Sequence, residues 1–230
     1  MAAAHLTAAA QHETARLLDG QTLADVSFWA DEIRNHRPET SRWHFVDIPR
    51  DRDDYRPERD CQRTERGDCI IAAITRLRTR LEDLQTPFDE RAEALRYLVH
   101  LVADLHQPLH CVDDHDRGGN DVAVTVFGRP MNLHAAWDTG LIAVSGLSEA
   151  TWTQRLEAWL AGQDTTRLAT GTVVDWALES HRAAVEHVYA LPPSGRLGRR
   201  YLEASRPVLE RQLALGAIRL ARVLNEAFAR

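Results

Sequence analysis

The chain has 230 residues, 44% hydrophobic and 27% charged, with 28 basic and 34 acidic side chains and a net charge of −6. This is enough chain for one sizeable core, its composition is that of an ordinary globular protein, and no apolar run approaches a membrane span. An acidic chain does not hold a polyanion by surface charge alone, so a simple nucleic-acid binding module is disfavoured and any local positive field has to come from bound cations.

The N-terminal stretch MAAAHLTAAAQHETARLL lacks the cationic start and long apolar segment of a secretory signal. Helical spacing of apolar residues predicts a first helix over about 5–18 and a second from near Thr22 that includes LADVSFWADEIR and ends before Pro38. A loop follows, with WHFVDIPRD at its centre and a charged section up to Cys69. Within it, CQRTERGDC sets Cys61 and Cys69 where they close a small disulfide in an oxidising compartment or stay thiols in a reducing one. Cys111 is expected to be a buried thiol, and the lack of a CxxC pair argues against a zinc knuckle.

CIIAAITRLRTRLEDL reads as helix, stopped before Pro87. FDERAEALRYLVHLVADLH is the strongest helical segment, with Leu95, Leu98, Val99 and Val102 on its apolar face. DDHDRGGND is a turn-rich loop. Val122, Val124 and Val126 then alternate ahead of a Gly-Arg-Pro turn, which predicts one short β-hairpin. From Ala135 onward the pattern is helical, with WALESHRAAVEHVYAL and RPVLERQLALGAIRLARVLNEAF separated by Pro192, Pro193, Ser194 and Gly195. There is no internal repeat and no compositional boundary. The expectation is one mostly α-helical domain over 1–230, with that single hairpin.

Histidine is the unusual count: 11 in all, with His100, His106, His110, His115 and His134 close together. His100 and Asp104 are four apart, so they project from one helix face, and His134 and Asp138 repeat the spacing. A lone HxxxD is more often a surface pair or a helix-stabilising hydrogen bond. Here the pattern occurs twice, with His110 between, and once in an apolar helix where an unpaired polar group costs about 1–3 kcal/mol. Imidazole and carboxylate on one face suit zinc, so the spacing points to a multi-metal site. WAD at 29–31 and WHFVD at 43–47 are weak signals taken alone.

Taken in order, LADVSFWADEIR, WHFVDIP, CIIAAI, LVHLVADLHQPLH, DRGGND, NLHAAWD and AIRLARVLN resemble the S1/P1-type nuclease family, which shares its helical zinc fold with bacterial phospholipase C. The likeness runs from about position 20 to the C-terminus. It implies a zinc-dependent endonuclease that cleaves single-stranded DNA or RNA to 5′-phosphate products, secreted or periplasmic in location. By resemblance, Asp31, His44, His100 and Asp104 hold one zinc, and His110, His134 and Asp138 hold a second. A third zinc in the family shares Asp104 as a bridge and is completed by an N-terminal Trp and a nearby His. This sequence begins MAAAHLTAAAQ with no WGxxGH segment, and His5 is a poor substitute, so two zinc ions are expected and the chain reads as shortened at its N-terminus.

The resemblance implies that zinc generates hydroxide and that Asp47 orients or deprotonates the attacking water. Arg34 would pair with Asp47 or stabilise phosphoryl charge. Phe45 would stack on a base and Asn132 would line the nucleotide site. His106 faces away from the His100/Asp104 pair and reads either as a partner that supports a ligand from outside or as structural. A phospholipase C-like phosphodiesterase is the nearest rival, disfavoured because its pattern has Glu where this chain has Asp138. A di-iron bundle needs Glu-x-x-His pairs that are not found here. An inactive, truncated helical protein is the reading from another class.

Overall fold

Apolar residues at three- and four-residue intervals drive the central helices. The computed structural model describes residues 1–229. Helix α1 (Ala8–Leu17) is capped by the Thr7 hydroxyl, which accepts from the Ala10 amide. Helix α2 is the short Trp29–Ile33. Helix α3 (Ile70–Glu82) buries Ile70, Ile74, Leu77 and Leu81 against α4 (Phe88–Asp104), which buries Leu95, Leu98, Leu101 and Val102. Three longer helices follow: α5 (Glu149–Ala161), α6 (Val173–Ala183) and α7 (Arg199–Ala227). The architecture is mostly α, as the sequence predicts.

Two apolar clusters make up most of the core. One gathers Leu17, Ile74, Leu98, Ala177 and Leu224 from α1, α3, α4, α6 and α7. The other surrounds Trp137 with Val124, Val126, Tyr201 and Leu202. Leu105 and Cys111 belong to the first cluster and Leu109 and Leu133 to the second, so the segment carrying His110 lies at their junction.

The small sheet differs from expectation in two ways. Strands β1 (Ala123–Val126) and β2 (Arg129–Asn132) form an antiparallel hairpin, but Phe127 and Gly128 make the turn, not Gly-Arg-Pro. Both have positive φ, 47° and 84°, as a two-residue turn matched to strand twist requires. Pro130 is thereby in β2, tolerated because β2 is an edge. A third strand, β3 (Arg196–Leu197), lies parallel to β1 inside the region expected to be helical. It is recruited by contacts distant in sequence, Thr125 N to the Gly195 carbonyl and Phe127 N to the Leu197 carbonyl.

The predicted second helix is also shorter than expected. Thr22 and Asp25 exchange cap-like hydrogen bonds, yet residues 23–28 form only turns. The Ser27 carbonyl, which a continuous helix would bond internally, accepts instead from the His100 imidazole at 2.7 Å. Likewise α7 begins at Arg199 and carries Pro207 within it, several residues ahead of the predicted start. Cys61 and Cys69 are joined as a disulfide, and Cys111 is a buried free thiol. Among the described residues no helix is long and apolar enough to cross a membrane.

Candidate metal centre

Helix α4 delivers His100 and Asp104 from its last turns, where Leu101 and Val102 lock its apolar face into the core. His100 Nε2 lies 3.0 Å from Asp104 Oδ2. The segment 44–48 has no regular secondary structure, and its burial alternates: His44, Val46 and Ile48 are buried, Phe45 and Asp47 half-buried. It is held by Val46 N donating to the His110 carbonyl and Asp113 N donating to the Ile48 carbonyl. This register sets His44 Nδ1 at 2.9 Å from Asp104 Oδ2 and 3.1 Å from His100 Nε2. Asp31, from α2, closes the group at 3.6 Å from His44 Nδ1 and 3.7 Å from His100 Nε2.

A tetrahedron with metal–ligand bonds of about 2.0–2.1 Å has edges of about 3.3–3.4 Å. The four donors from Asp31, His44, His100 and Asp104 stand apart by distances that bracket this value. A second group is formed by His110, His134 and Asp138. His110 Nε2 and His134 Nε2 are 3.1 Å apart, and the Asp138 carboxylate lies 3.9 and 3.6 Å from them. His134 lies in a single α-turn, Leu133–Ala135, and Asp138 in a π-helical turn, Ala136–Gly140, so HAAWD is not the regular helix its spacing suggested. Asp104 Oδ2 also lies 3.9 Å from His110 Nδ1, so its carboxylate meets the edge of the His110 ring opposite the nitrogen that faces His134.

Backbone carbonyls fix three of the imidazoles. His100 donates from Nδ1 to Ser27 at 2.7 Å, His110 to His44 at 2.7 Å and His134 to Gly118 at 2.8 Å. A carbonyl only accepts, so each Nδ1 carries the proton and each Nε2 turns a lone pair to the site. His44 is reversed: Nδ1 faces the group and its buried Nε2 has no protein partner among the described residues. Ring nitrogens and carboxylates set in this way, His44 and His100 in one group and His110 and His134 in the other, fit bound divalent cations.

Without a metal the same groups pair as acid and base, and a cation binding here would displace the proton that His100 Nε2 shares with Asp104. Burial pushes the Asp104 carboxyl up, but the His110 charge and hydrogen bonds from His100 and His44 outweigh it and hold Asp104 well below the usual carboxylate range. Burial disfavours the His100 cation, yet the bond to Asp104 prevails and raises its pKa to about 9. Burial and the neighbouring His110 charge lower His134.

A cavity of about 620 Å³ opens onto Asp31, His100, Asp104, His110 and Asp138, with Phe28 and Leu213 among its apolar walls. Gln107, not picked out in the sequence, belongs to the site: its Nε2 donates to Asp138 Oδ1 at 2.7 Å while its Oε1 accepts from Leu109 N. The only local signal for it was its place before Pro108, at a helix start.

The remaining predicted residues are distributed as follows. Asp47 pairs with Arg42 at 3.1 Å, not with Arg34. Arg34 instead donates to the Ser41 carbonyl and stands 4.0 Å from Asp31. The Arg42 guanidinium also covers the Phe45 ring, 5.4 Å from its centre. Burial raises the Asp47 pKa, with Arg42 opposing and Asp113 reinforcing the shift. Asn132 caps the turn bearing His134 through Ala135 N at 2.7 Å and reaches Asn120 at 3.4 Å. His106 is buried and bonded to the Val102 carbonyl and Arg219 rather than to a donor residue. His5 pairs with Glu157.

A family profile described as S1/P1 Nuclease matches residues 1–229. Nuclease P1 of Penicillium citrinum is 32% identical, the match covering 89% of this chain and 84% of that protein. Endonuclease 4 of Arabidopsis thaliana is 32% identical over 90% of this chain and 77% of its own length. Nuclease S1 of Aspergillus oryzae is 29% identical over 88% and 78%.

Proposed function

Because the chain belongs to the S1/P1 nuclease family and is therefore a hydrolase of nucleic acid, we propose that it is a zinc-dependent endonuclease cleaving single-stranded DNA or RNA to 5′-phosphate products. The observation that carries the zinc reading is the presence of two donor groups, one of them backed by Asp104, at separations suited to tetrahedral coordination. Asp31, His44, His100 and Asp104 would hold one ion, and His110, His134 and Asp138 another. Bound zinc supplies positive charge against the phosphate and lowers the pKa of water to near neutrality.

The chain's own residues would do the rest. Asp47 is the proposed base, and a carboxyl whose pKa is raised by burial is a better proton acceptor than an ordinary one. Arg42 holds that carboxylate in place. Arg34 is proposed to stabilise phosphoryl charge, Phe45 to stack on a base and Asn132 to border the nucleotide. The cavity beside the donors gives a single strand access without a basic surface. The Cys61–Cys69 disulfide supports an oxidising compartment, secreted or periplasmic.

The test is zinc analysis combined with product analysis. Purified protein should hold about two zinc ions per chain, lose nuclease activity on single-stranded DNA to a chelator, regain it with zinc, and leave 5′-phosphate ends. Protein that takes up no zinc, or that cleaves equally well without it, would overturn the proposal.

A further inference from the structure

A metal-binding imidazole is only as well aimed as the group that holds its other nitrogen. For His134 that group is the Gly118 carbonyl, at 2.8 Å, and Gly118 sits in a loop rather than in a helix or strand. The loop is unusual backbone: His115, Arg117, Gly118 and Gly119 have φ of 58°, 58°, 59° and 78°. Such a conformation persists only where its surroundings over-determine it.

Two carboxylates do this from within. Asp113 Oδ1 accepts from the amides of Asp116, Arg117 and Gly118 at 3.2, 2.9 and 3.4 Å. Asp116 Oδ1 accepts from the Gly119 amide at 2.9 Å. The Gly119 N–H and the Gly118 carbonyl are two ends of one planar peptide unit. Fixing the N–H therefore fixes the direction of the carbonyl that receives the His134 proton. A carboxylate on the N–H also polarises that peptide and strengthens its carbonyl as an acceptor.

Asp116 is in turn tied to a distant element. The Tyr189 hydroxyl, which follows the π-helical turn Ala184–Val188 at the end of α6, lies 3.0 and 2.9 Å from its two carboxylate oxygens and donates to them. The Arg50 guanidinium packs over the Tyr189 ring at 4.5 Å and pairs with Asp114 at 2.7 Å, so the ring has one preferred seat.

We propose that the Tyr189–Asp116 hydrogen bond positions His134 for metal binding, acting through the Gly118–Gly119 peptide. Tyr189 and Asp116 are positioning residues; neither reaches the donor group itself. The inference rests on the zinc reading above.

The experiment is a zinc titration against a competing chromophoric chelator, on wild type and on Tyr189→Phe, which keeps the ring and its Arg50 contact. One of the two zinc equivalents should weaken about ten-fold, the lower end of what losing an outer partner costs, and the other should hold as in wild type. Asp116→Ala should weaken the same equivalent at least as much. Asp116→Asn, which keeps an acceptor for the Gly119 amide, should restore most of the affinity. The proposal is overturned if Tyr189→Phe and Asp116→Ala hold both ions like wild type. It is also overturned if both ions weaken together while the zinc-free protein melts earlier, since that is general loosening. A wild type that binds no zinc overturns the functional reading itself, whereas two ions held identically by wild type and variants sink only the positioning role.

Discussion

The Gln107 side chain holds Asp138: its amide donates to Oδ1 at 2.7 Å while the other end of the same amide caps Leu109. A carboxylate on a π-helical turn, partly exposed, is otherwise free to rotate. If Gln107 aims it, Gln107→Ala should cost about ten-fold or more in zinc affinity or activity. Gln107→Glu keeps the cap on Leu109 but swaps the donor for a charge that repels Asp138, so it should lose at least as much. A Gln107→Glu variant with wild-type zinc affinity would reduce Gln107 to a cap.

Asp104 lies against His44, His100 and His110 at once. Asp104→Asn removes the charge that these imidazoles share, so activity on single-stranded DNA should fall about 100-fold or more. Zinc content should fall with it, read by elemental analysis. Unchanged zinc content and rate would leave Asp104 as a mere helix-end carboxylate.

Bound metal adds stability because the unfolded chain has no assembled site. At free zinc one hundred times the dissociation constant, one ion stabilises the fold by about 2.7 kcal/mol, which for a chain of this size raises Tm by about 5–10 °C. Calorimetry with zinc and with a chelator should show that difference, and coincident melting curves would argue against an intrinsic site.

Asp47 and Arg42 predict a pH effect. Asp47 works as a base only when ionised. Burial raises its pKa, so the acid limb of kcat/KM should lie above that of an ordinary exposed aspartate. Arg42 opposes that rise, and Arg42→Met should therefore move the limb to still higher pH. Arg34→Met should leave it where it is, because Arg34 bonds Ser41 and stands beside Asp31 instead. An acid limb that stays fixed in Arg42→Met would remove Asp47 as the base.

The Cys61–Cys69 bridge spans eight positions and ties the charged loop to the start of α3. Loop closure of that length stabilises by about 2–3 kcal/mol. Cys61→Ser is the better probe, since Cys69 is fully buried. Its urea midpoint should drop accordingly, and an unchanged midpoint would show the bridge to be dispensable.

What the sequence determined by itself was whatever depends on near neighbours. The helices α3 and α4 follow from apolar periodicity, and His100 and Asp104 meet because four residues is about one helical turn. Asp31 and His44 are legible only through family motifs, since no periodicity relates them to α4. Tertiary structure decided the rest. Arg34 and Arg42 are chemically alike in sequence, and only the turn before Phe45 puts Arg42 on Asp47. Ser27 gave its carbonyl to His100 and cut short a helix that local pattern alone would have extended. Gln107 and the Gly118 carbonyl entered the candidate site through hydrogen bonds to residues 31 and 16 positions away. Periodicity reports which face of an element is apolar. Which polar group meets which across the molecule depends on how those faces pack.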